Sequence, residues 1–161
     1  MELALAPNGY MCPDDTKQRW SVNEIEARIV SELCRGLDVL EIGTGLGVST
    51  KAIASQARHV YTVDVDRWVK DNVVPALPEN VTFLDDVRDV PNVDAAFIDG
   101  SHTYQQCKKD IRSSRKVVKT GGIYIFHDVK IKAVALAIRQ SNFKAAVWIE
   151  TYAGLALAYY E

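Results

Sequence analysis

Short apolar runs rich in β-branched residues alternate with helix-like segments along most of this chain, and this alternation restricts the fold more than any other feature. The runs that predict strands are residues 37–43, 59–65, 81–84, 94–99 and 122–127. Apolar residues at helical spacing, or a high alanine content, predict helices over residues 22–35, 48–57 and 104–118. Nearly continuous apolar runs are typical of parallel strands covered on both faces. The sequence therefore predicts an α/β fold with a parallel sheet and right-handed crossovers.

The pattern changes after a further predicted helix over residues 130–140. Two runs, residues 143–150 and 155–160, predict strands that are joined by a short turn around Gly154. A turn of that length allows only antiparallel pairing. We therefore expect a mostly parallel sheet with an antiparallel hairpin at one edge.

Length and charge narrow the class of protein. With 161 residues the chain is long enough for one domain and too short for two. Its formal charge of −2 gives no electrostatic footprint for nucleic acid or for an anionic membrane. We find neither an apolar run of membrane-spanning length nor a signal peptide. The three cysteines form no CxxC pair, which favours a reducing, cytoplasmic location over a disulfide framework.

The strongest local motif is the glycine-rich loop EIGTGLG at residues 41–47, which ends one predicted strand and opens a helix. Glycines let a backbone turn tightly and approach a ligand, and the helix that follows presents free N–H groups. An ordinary strand-to-helix turn is the simpler explanation. Asp64 after the second strand, with Asp85 and Asp86 after the third, favours a ligand, because doubly wound folds place a ribose-binding acid there.

The carboxylate of Glu41 precedes the first glycine by two positions. It would repel a pyrophosphate and attract a cation, and the GxGxG spacing differs from the GxGxxG of nicotinamide-binding proteins. S-adenosylmethionine (SAM) carries a sulfonium and an ammonium group and no phosphate. The loop therefore favours SAM over NAD as the ligand.

Five motifs, taken in order, resemble those of class I SAM-dependent methyltransferases, within them the catechol O-methyltransferase-like group and its IDGxHxY branch. The motifs are VLEIGTGLG, VYTVDVD, FLDDV, FIDGSHTY and GGIYIFHDV, and the likeness extends over residues 20–160. It implies a Rossmann-like, doubly wound, mostly parallel sheet of seven strands in the order 3-2-1-4-5-7-6, with the last strand antiparallel. A minimal single domain would then occupy residues 20–161, and residues 1–19 would form an N-terminal extension or a short lid.

The resemblance also implies a cofactor site, carried over position by position. The residues that would line the methionine part of SAM are Gly43, Thr44, Gly45 and Gly47. Ser49 would bind its carboxylate, and Glu41 would face its ammonium group. Asp64 would bind the ribose, and Asp86 with Val87 would bind the adenine. Val22 would cover the outer face of the cofactor.

Acids and histidines follow the fourth and fifth predicted strands. In the resembling enzymes a magnesium ion is held by an Asp after strand four and an Asp-Asn pair after strand five. Asp99 matches the first position and His127-Asp128 the pair, while His102 falls on the family's catalytic lysine. These matches predict Asp99, His127 and Asp128 as metal ligands, and they predict His102 and Asp99 as catalytic residues, with His102 the general base.

The predicted ligand set departs from the family pattern at one position. Because Mg²⁺ prefers oxygen ligands, the His127 imidazole favours a softer ion such as Mn²⁺, Fe²⁺ or Zn²⁺. A metal-free site stays open, in which Asp99 supports the fold and His127 caps the turn after strand five. His102 would then be an ordinary hydrogen-bonded loop histidine.

We expect the chain to methylate a hydroxyl group of a small molecule. The alternatives are a methyltransferase for an amine or a macromolecule, and a cofactor-binding or regulatory protein without transferase activity. The NPPY-type tetrapeptide of many amine-methylating enzymes is replaced here by IDGSH, and the charge balance counts against nucleic acid. Completing the acceptor site would fall to residues 1–19, to a second subunit in a homodimer, or to a large acceptor itself.

Overall fold

Seven strands form one sheet in a computed structural model of the chain, which describes residues 21–159 and, before them, only the backbone of a two-residue strand pair, Leu5–Ala6 with Gly9–Tyr10. The strands of the sheet are β1 (Asp38–Ile42), β2 (His59–Val63), β3 (Val81–Leu84), β4 (Val93–Ile98), β5 (Val118–Phe126), β6 (Ala145–Ile149) and β7 (Leu155–Tyr159). The helices are α1 (Glu24–Leu33), α2 (Val48–Ala54), α3 (Arg67–Asn72), α4 (Tyr104–Ser114) and α5 (Lys132–Arg139). The short lid or extension predicted for residues 1–19 lies outside the part of the chain whose side chains the structure describes.

The strand order is β3-β2-β1-β4-β5-β7-β6. Strands β1 to β5 run parallel to one another, whereas β7 runs antiparallel to both β5 and β6. The predicted order and the predicted edge hairpin are both confirmed. This topology gathers the carboxyl ends of five parallel strands at one edge of the sheet, where α/β folds bind ligands.

Each face of the sheet is covered by its own apolar cluster. On one side Val30 of α1 and Ile53 of α2 belong to the cluster that includes Val39 of β1. On the other side Ile111 of α4 and Ile138 of α5 belong to the cluster that includes Leu40 of β1. Fully burying an aliphatic side chain contributes roughly 1.5–3 kcal/mol, so the continuous apolar runs of the central strands explain why this sheet is buried on both faces.

Helix α1 begins at a reciprocal cap. The Asn23 side chain accepts a hydrogen bond from the Glu26 N–H at 2.9 Å, and the Glu26 carboxylate accepts one from the Asn23 N–H at 3.2 Å. This pairing satisfies two N–H groups that the first turn would otherwise leave without partners. It also fixes Glu26 in the first turn, with only 1% of its surface exposed.

The boundary between α4 and β5 differs from the prediction. A helix predicted over residues 104–118 ends at Ser114, and the strand predicted over residues 122–127 already begins at Val118. The register between β4 and β5 shifts here, and a Cβ atom on Gly122 would lie 2.7 Å from the Asp94 carbonyl oxygen. The register shift therefore lies inside a longer strand, which begins at Val118 instead of at the predicted Gly122.

Helix α3 was not predicted from the sequence. Its six residues begin at the cap Asp66, whose side chain accepts a hydrogen bond from the Trp68 N–H at 2.8 Å. None of the helices in the described part of the chain combines the length and the apolarity that crossing a membrane requires.

Candidate functional site

A cleft of about 1160 Å³ opens at the carboxyl edge of the sheet. Its lining comes from the glycine-rich loop after β1, from the ends of β2 to β5, and from the turn between β6 and β7. Pockets for a single small ligand usually measure roughly 300–1,000 Å³. The cleft is therefore large enough for a cofactor and a second small molecule together.

Gly43 brings the glycine-rich loop into backbone contact with the end of β4. Its φ angle is +100°, and a Cβ atom at this position would lie 2.3 Å from the Asp99 carbonyl oxygen. The Asp99 N–H in turn donates to the Ile42 carbonyl oxygen at 2.9 Å. Only glycine fits both the left-handed backbone and this separation. The loop and the acid after β4 are thus held side by side.

Beneath the loop, the carboxyl group of Glu41 is completely buried among three hydroxyl groups. It accepts hydrogen bonds from Ser49 at 2.7 Å, from Thr50 at 2.6 Å and from Thr62 at 2.7 Å. Burial raises the pKa of Glu41 to about 7, although the three hydrogen bonds act in the opposite direction. The structure therefore places Glu41 under the loop as a hydrogen-bonded support.

Two acids predicted to contact the cofactor lie further along the cleft. Asp64 accepts hydrogen bonds from the N–H groups of Gly45 at 2.9 Å and Asp66 at 2.8 Å. Asp86 caps a 3₁₀ turn and pairs with Arg88, whose hydrogen bonds lower the pKa of Asp86 to about 2. Both acids and Val87 belong to the cleft lining. Their contacts to ribose and adenine remain predictions.

The other predicted cofactor residues fall into two groups. The lining of the cleft includes Gly43, Thr44, Gly45 and Ser49. Gly47 caps α2 in a left-handed conformation, and Val22 is fully buried in the apolar cluster beneath α1 and α2. The described lining includes neither Gly47 nor Val22, and their contacts to a cofactor remain predictions.

At the other end of the cleft, His127 is surrounded by carboxylates. Its Nε2 atom lies 3.0 Å from Glu26 Oε2, and its Nδ1 atom lies 3.1 Å from both Asp99 Oδ1 and Asp128 Oδ2. Burial alone would lower the pKa of His127, but these three carboxylates raise it to about 12. The histidine is thus a buried cation at neutral pH.

His102 is the exposed member of this cluster. Its Nε2 atom lies 2.8 Å from Asp128 Oδ2, and about half of its side chain is exposed. The hydrogen bond with Asp128 raises the pKa of His102. Ligand atoms of Asp99, His102 and Asp128 lie within 4.8 Å of one another, so these three side chains can hold a metal ion. His127, predicted as the third ligand, lies directly beside this group instead of within it.

Sequence reasoning missed Glu26. One Glu26 oxygen faces His127, and the other accepts hydrogen bonds from the Thr151 hydroxyl at 2.7 Å and the Ala153 N–H at 2.9 Å. These contacts reduce the pKa of Glu26 to about 2 despite its burial, which acts in the opposite direction. The only local signal was the N-x-x-E capping pattern at residues 23–26. That pattern locates a helix start and gives no indication of a buried ion pair.

The comparisons with known proteins agree with this architecture. The family model described as "Methyltransferase domain" matches residues 40–129, which include the glycine-rich loop, Asp99, His102 and the His127-Asp128 pair. The O-methyltransferase TomG from Streptomyces achromogenes, crystallised with SAM, is 15% identical with a TM-score of 0.68, over 86% of this chain and 81% of that chain.

Two further relatives are informative. The O-methyltransferase from Bacillus cereus, crystallised with SAH, is 16% identical with a TM-score of 0.70, over 87% of this chain and 83% of that chain. A probable ribosomal RNA small subunit methyltransferase A from Pyrobaculum islandicum is 29% identical in a 73-residue alignment that covers 42% of this chain. That match spans only 31% of the relative's length. The two structural matches establish the shared fold.

Proposed function

This chain belongs to the methyltransferase-domain family, and we propose that it is a SAM-dependent enzyme which methylates a hydroxyl group of a small molecule. One observation carries the proposal. The glycine-rich loop and the Asp99–His102–Asp128 group share a single cleft, because Gly43 holds the loop against the Asp99 backbone. A methyl donor and an acceptor hydroxyl can therefore meet within one site.

The loop side of the cleft fits SAM in its chemistry. Asp64, Asp85, Asp86 and Asp66 give this side an acidic lining, which suits a ligand that carries an ammonium and a sulfonium group. We propose that Gly43, Thr44 and Gly45 contact the methionine part, with Ser49 beside it. Asp64 would then bind the ribose, and Asp86 with Val87 the adenine. The bound cofactor supplies the methyl group that is transferred.

The chain's own contribution at the other side is to orient the acceptor and to remove its proton. His102 donates from Nε2 to Asp128, which leaves Nδ1 as the atom that accepts a proton. Asp128 holds the ring in this tautomer and stabilises the imidazolium that forms, as a carboxylate does beside a catalytic histidine. The exposed side chains of Ile131 and Tyr152 line the same end of the cleft and would form the walls around the acceptor.

The same cluster fits a divalent ion of mixed oxygen and nitrogen preference, such as Mn²⁺. Asp99, His102 and Asp128 would hold the ion, and it would lower the pKa of the acceptor hydroxyl. In that form His102 is a ligand and no longer the base. Titration of the protein with Mn²⁺, followed by the electron paramagnetic resonance of the ion, separates the two arrangements independently of turnover.

An acceptor that is a nucleic acid is the second candidate, because a ribosomal RNA methyltransferase is among the relatives. The site favours the small molecule. Phosphates are bound by clustered lysines and arginines, whereas this chain carries a formal charge of −2 and the cleft lining is rich in aspartates.

The first test is calorimetric titration of S-adenosylhomocysteine into the wild type, Asp64→Ala and Asp71→Ala. We expect binding to the wild type and to Asp71→Ala, whose aspartate is exposed on α3, and a loss of at least tenfold in affinity for Asp64→Ala. No binding to the folded wild type at high micromolar concentration would refute the cofactor assignment.

The second test compares methyl transfer from radiolabelled SAM to small hydroxyl acceptors, amine acceptors and ribosomal RNA. We expect label on hydroxyl acceptors alone. His102→Ala should reduce the rate by about 10²–10⁴-fold while its affinity for S-adenosylhomocysteine stays within twofold of wild type. Label on amines or on RNA would refute the acceptor class, and an unchanged rate in His102→Ala would refute the assigned base.

A further inference from the structure

The edge strand β6 exposes an apolar surface that the rest of the described chain leaves uncovered. Its residues run Ala145-Ala146-Val147-Trp148-Ile149, and the first four are exposed. Among the described strands it has one neighbour, β7. Edge strands usually carry charges, prolines or bulges that prevent pairing with another chain. Within β6 there is no such residue, so its outer edge is open to a further strand.

The apolar surface continues onto helix α5. Leu136 is 47% exposed, and the Arg139 guanidinium lies 5.2 Å from the centre of the Trp148 ring, so helix and strand adjoin. Val147 on the opposite face of β6 is 60% exposed. We call Leu136, Arg139, Val147 and Trp148 the β6 patch. These side chains flank the open edge of β6 on both of its faces, and exposed apolar residues at an open sheet edge are typical of a protein interface.

We propose that the β6 patch binds a second copy of this chain, by antiparallel pairing of the two β6 strands about a two-fold axis. Such an axis stands perpendicular to the sheet and preserves which face each side chain occupies. Residues that pair across it must therefore be separated by an even number of positions, because neighbouring residues point to opposite faces. One residue of β6 must accordingly lie on the axis and face its own copy.

A register centred on Val147 suits the sequence best. It aligns all five residues of β6, with Ala145 opposite Ile149 and Ala146 opposite Trp148, so that each large side chain faces a small one. It also sets Lys144, just before the strand, opposite Glu150, just after it. Opposite charges that face each other across strands are favourable, and like charges are not.

The alternative registers lack this complementarity. Centring on Ala146 or Trp148 shifts the strands by two residues and leaves one end of each without a partner. The ends Lys144 and Glu150 then no longer meet. The charge pattern at the strand ends thus favours self-pairing in one register. Glu150 also contacts Lys130 of its own chain at 2.5 Å, which orders the acid at this end of the strand.

The first test uses cysteine variants that report the register. In Val147→Cys the two cysteines would face each other with Cα atoms roughly 4.5–5.5 Å apart, within the range that a disulfide spans. In the matched control Ala145→Cys they would lie four residues apart along the strands, roughly 13 Å, which is too far. After mild oxidation of the purified full chain, we expect a covalent dimer for Val147→Cys and not for Ala145→Cys or the wild type.

The second test measures the mass in solution by sedimentation equilibrium over a range of concentrations. We expect a reversible dimer for the wild type and for Ile25→Lys, which alters an exposed apolar residue of α1. Val147→Lys should be monomeric, because two like charges would meet on the axis. Circular dichroism and thermal unfolding of both variants verify that they are folded.

Three outcomes would overturn the proposal. These are a monomeric wild type at high micromolar concentration, equal cross-linking of Ala145→Cys and Val147→Cys, and a dimer that persists in folded Val147→Lys. The proposal does not depend on the chemistry of the cleft, so the cofactor-binding and methyl-transfer assays neither support nor contradict it.

Discussion

Two buried glutamates lie near the cleft, Glu26 beside His127 and Glu41 beneath the glycine-rich loop, and their pKa values shift in opposite directions. Glu26 is 1% exposed and Glu41 is 0% exposed, so neither side chain is accessible to solvent. The pKa of Glu26 is lowered to about 2, whereas burial raises the pKa of Glu41 to about 7. The difference comes from their partners. Glu26 faces the His127 imidazolium, whereas the hydrogen-bond partners of Glu41 are hydroxyl groups and the nearby Asp99 raises its pKa further.

Burial by itself therefore does not decide whether an acid in this protein is charged. Desolvation raises the pKa of both glutamates, but a cation together with two further donors outweighs it for Glu26. Three neutral donors do not outweigh it for Glu41. The glycine-rich loop is thus supported by an acid whose pKa lies near neutrality, whereas the Asp99–His102–Asp128 side of the cleft contains an ion pair between Glu26 and His127.

The largest expected effect comes from replacing the carboxyl group of each glutamate in turn by a neutral amide. At pH 7 we expect Glu26→Gln to lower the free energy of unfolding by about 3–5 kcal/mol, because it leaves the buried His127 cation with one counterion fewer. Glu41→Gln, measured at pH 5, should cost less than about 1.5 kcal/mol, since it replaces a mostly protonated group with a neutral isostere. Urea unfolding gives both values. Equal costs would contradict the assigned charges.

The pH dependence of stability gives the next largest effect. In the folded state Glu41 binds its proton more tightly than in the unfolded state, because its pKa rises from 4.5 to about 7. Its contribution is therefore fully present below pH 4.5 and declines as the pH rises to about 7, by about 3 kcal/mol in total. We expect Glu41→Gln to remove this decline. Urea unfolding of both proteins at pH 5 and pH 8 measures it.

A control for that measurement is available at the other glutamate. The folded pKa of Glu26 is lowered, so its contribution is present above about pH 4.5 and is lost only as the pH falls towards 2. The stability difference between wild type and Glu26→Gln should stay constant between pH 5 and pH 8. If this stability difference changed between pH 5 and pH 8 as steeply as the one for Glu41→Gln, the two glutamates would not differ in their electrostatic surroundings.

The smallest expected effect on the free energy of unfolding comes from removing a single hydrogen bond to each glutamate. Thr50 donates to Glu41 and Thr151 donates to Glu26, so the isosteric changes Thr50→Val and Thr151→Val form a matched pair. A hydrogen bond to a neutral acceptor contributes about 1 kcal/mol and one to a charged acceptor about 1.5–3 kcal/mol. The cost of Thr50→Val should therefore increase between pH 5 and pH 8, while that of Thr151→Val stays constant. Unfolding at both pH values measures this.

The fold was predictable because its information is local. Continuous apolar runs indicated parallel strands, and the short turn at Gly154 indicated the antiparallel hairpin; β7 and β6 confirm it. The start of β5 was placed at Gly122 instead of Val118 because Lys119, Thr120 and Gly121 interrupt the apolar run, and only the shifted register against β4 shows that the strand continues through them. Helix α3 was missed because its six residues carry too little periodicity to be recognised.

The candidate site was less predictable because its contacts join distant parts of the chain. The ends of β4 and β5 could be expected to meet, and the structure brings Asp99, His102, His127 and Asp128 together there. Nothing local connects Glu26 with His127 or with Thr151, since these residues are separated by more than a hundred positions. Sequence pattern finds strand ends, whereas the pairing of buried charges depends on how the helices pack over them.

The reversed direction of β7 has a consequence for how this scaffold can diversify. Ala156, near the start of β7, pairs with Phe126 near the end of β5, so the turn before β7 emerges at the same edge as the parallel strands. Tyr152 reaches the cleft from this turn. Residues inserted beside Tyr152 would therefore enlarge the proposed acceptor wall without altering the crossovers that carry the glycine-rich loop, provided that Thr151 and Ala153 keep their hydrogen bonds to Glu26. The turn between β6 and β7 is therefore a position at which protein engineers can insert a loop that changes the specificity of the cleft.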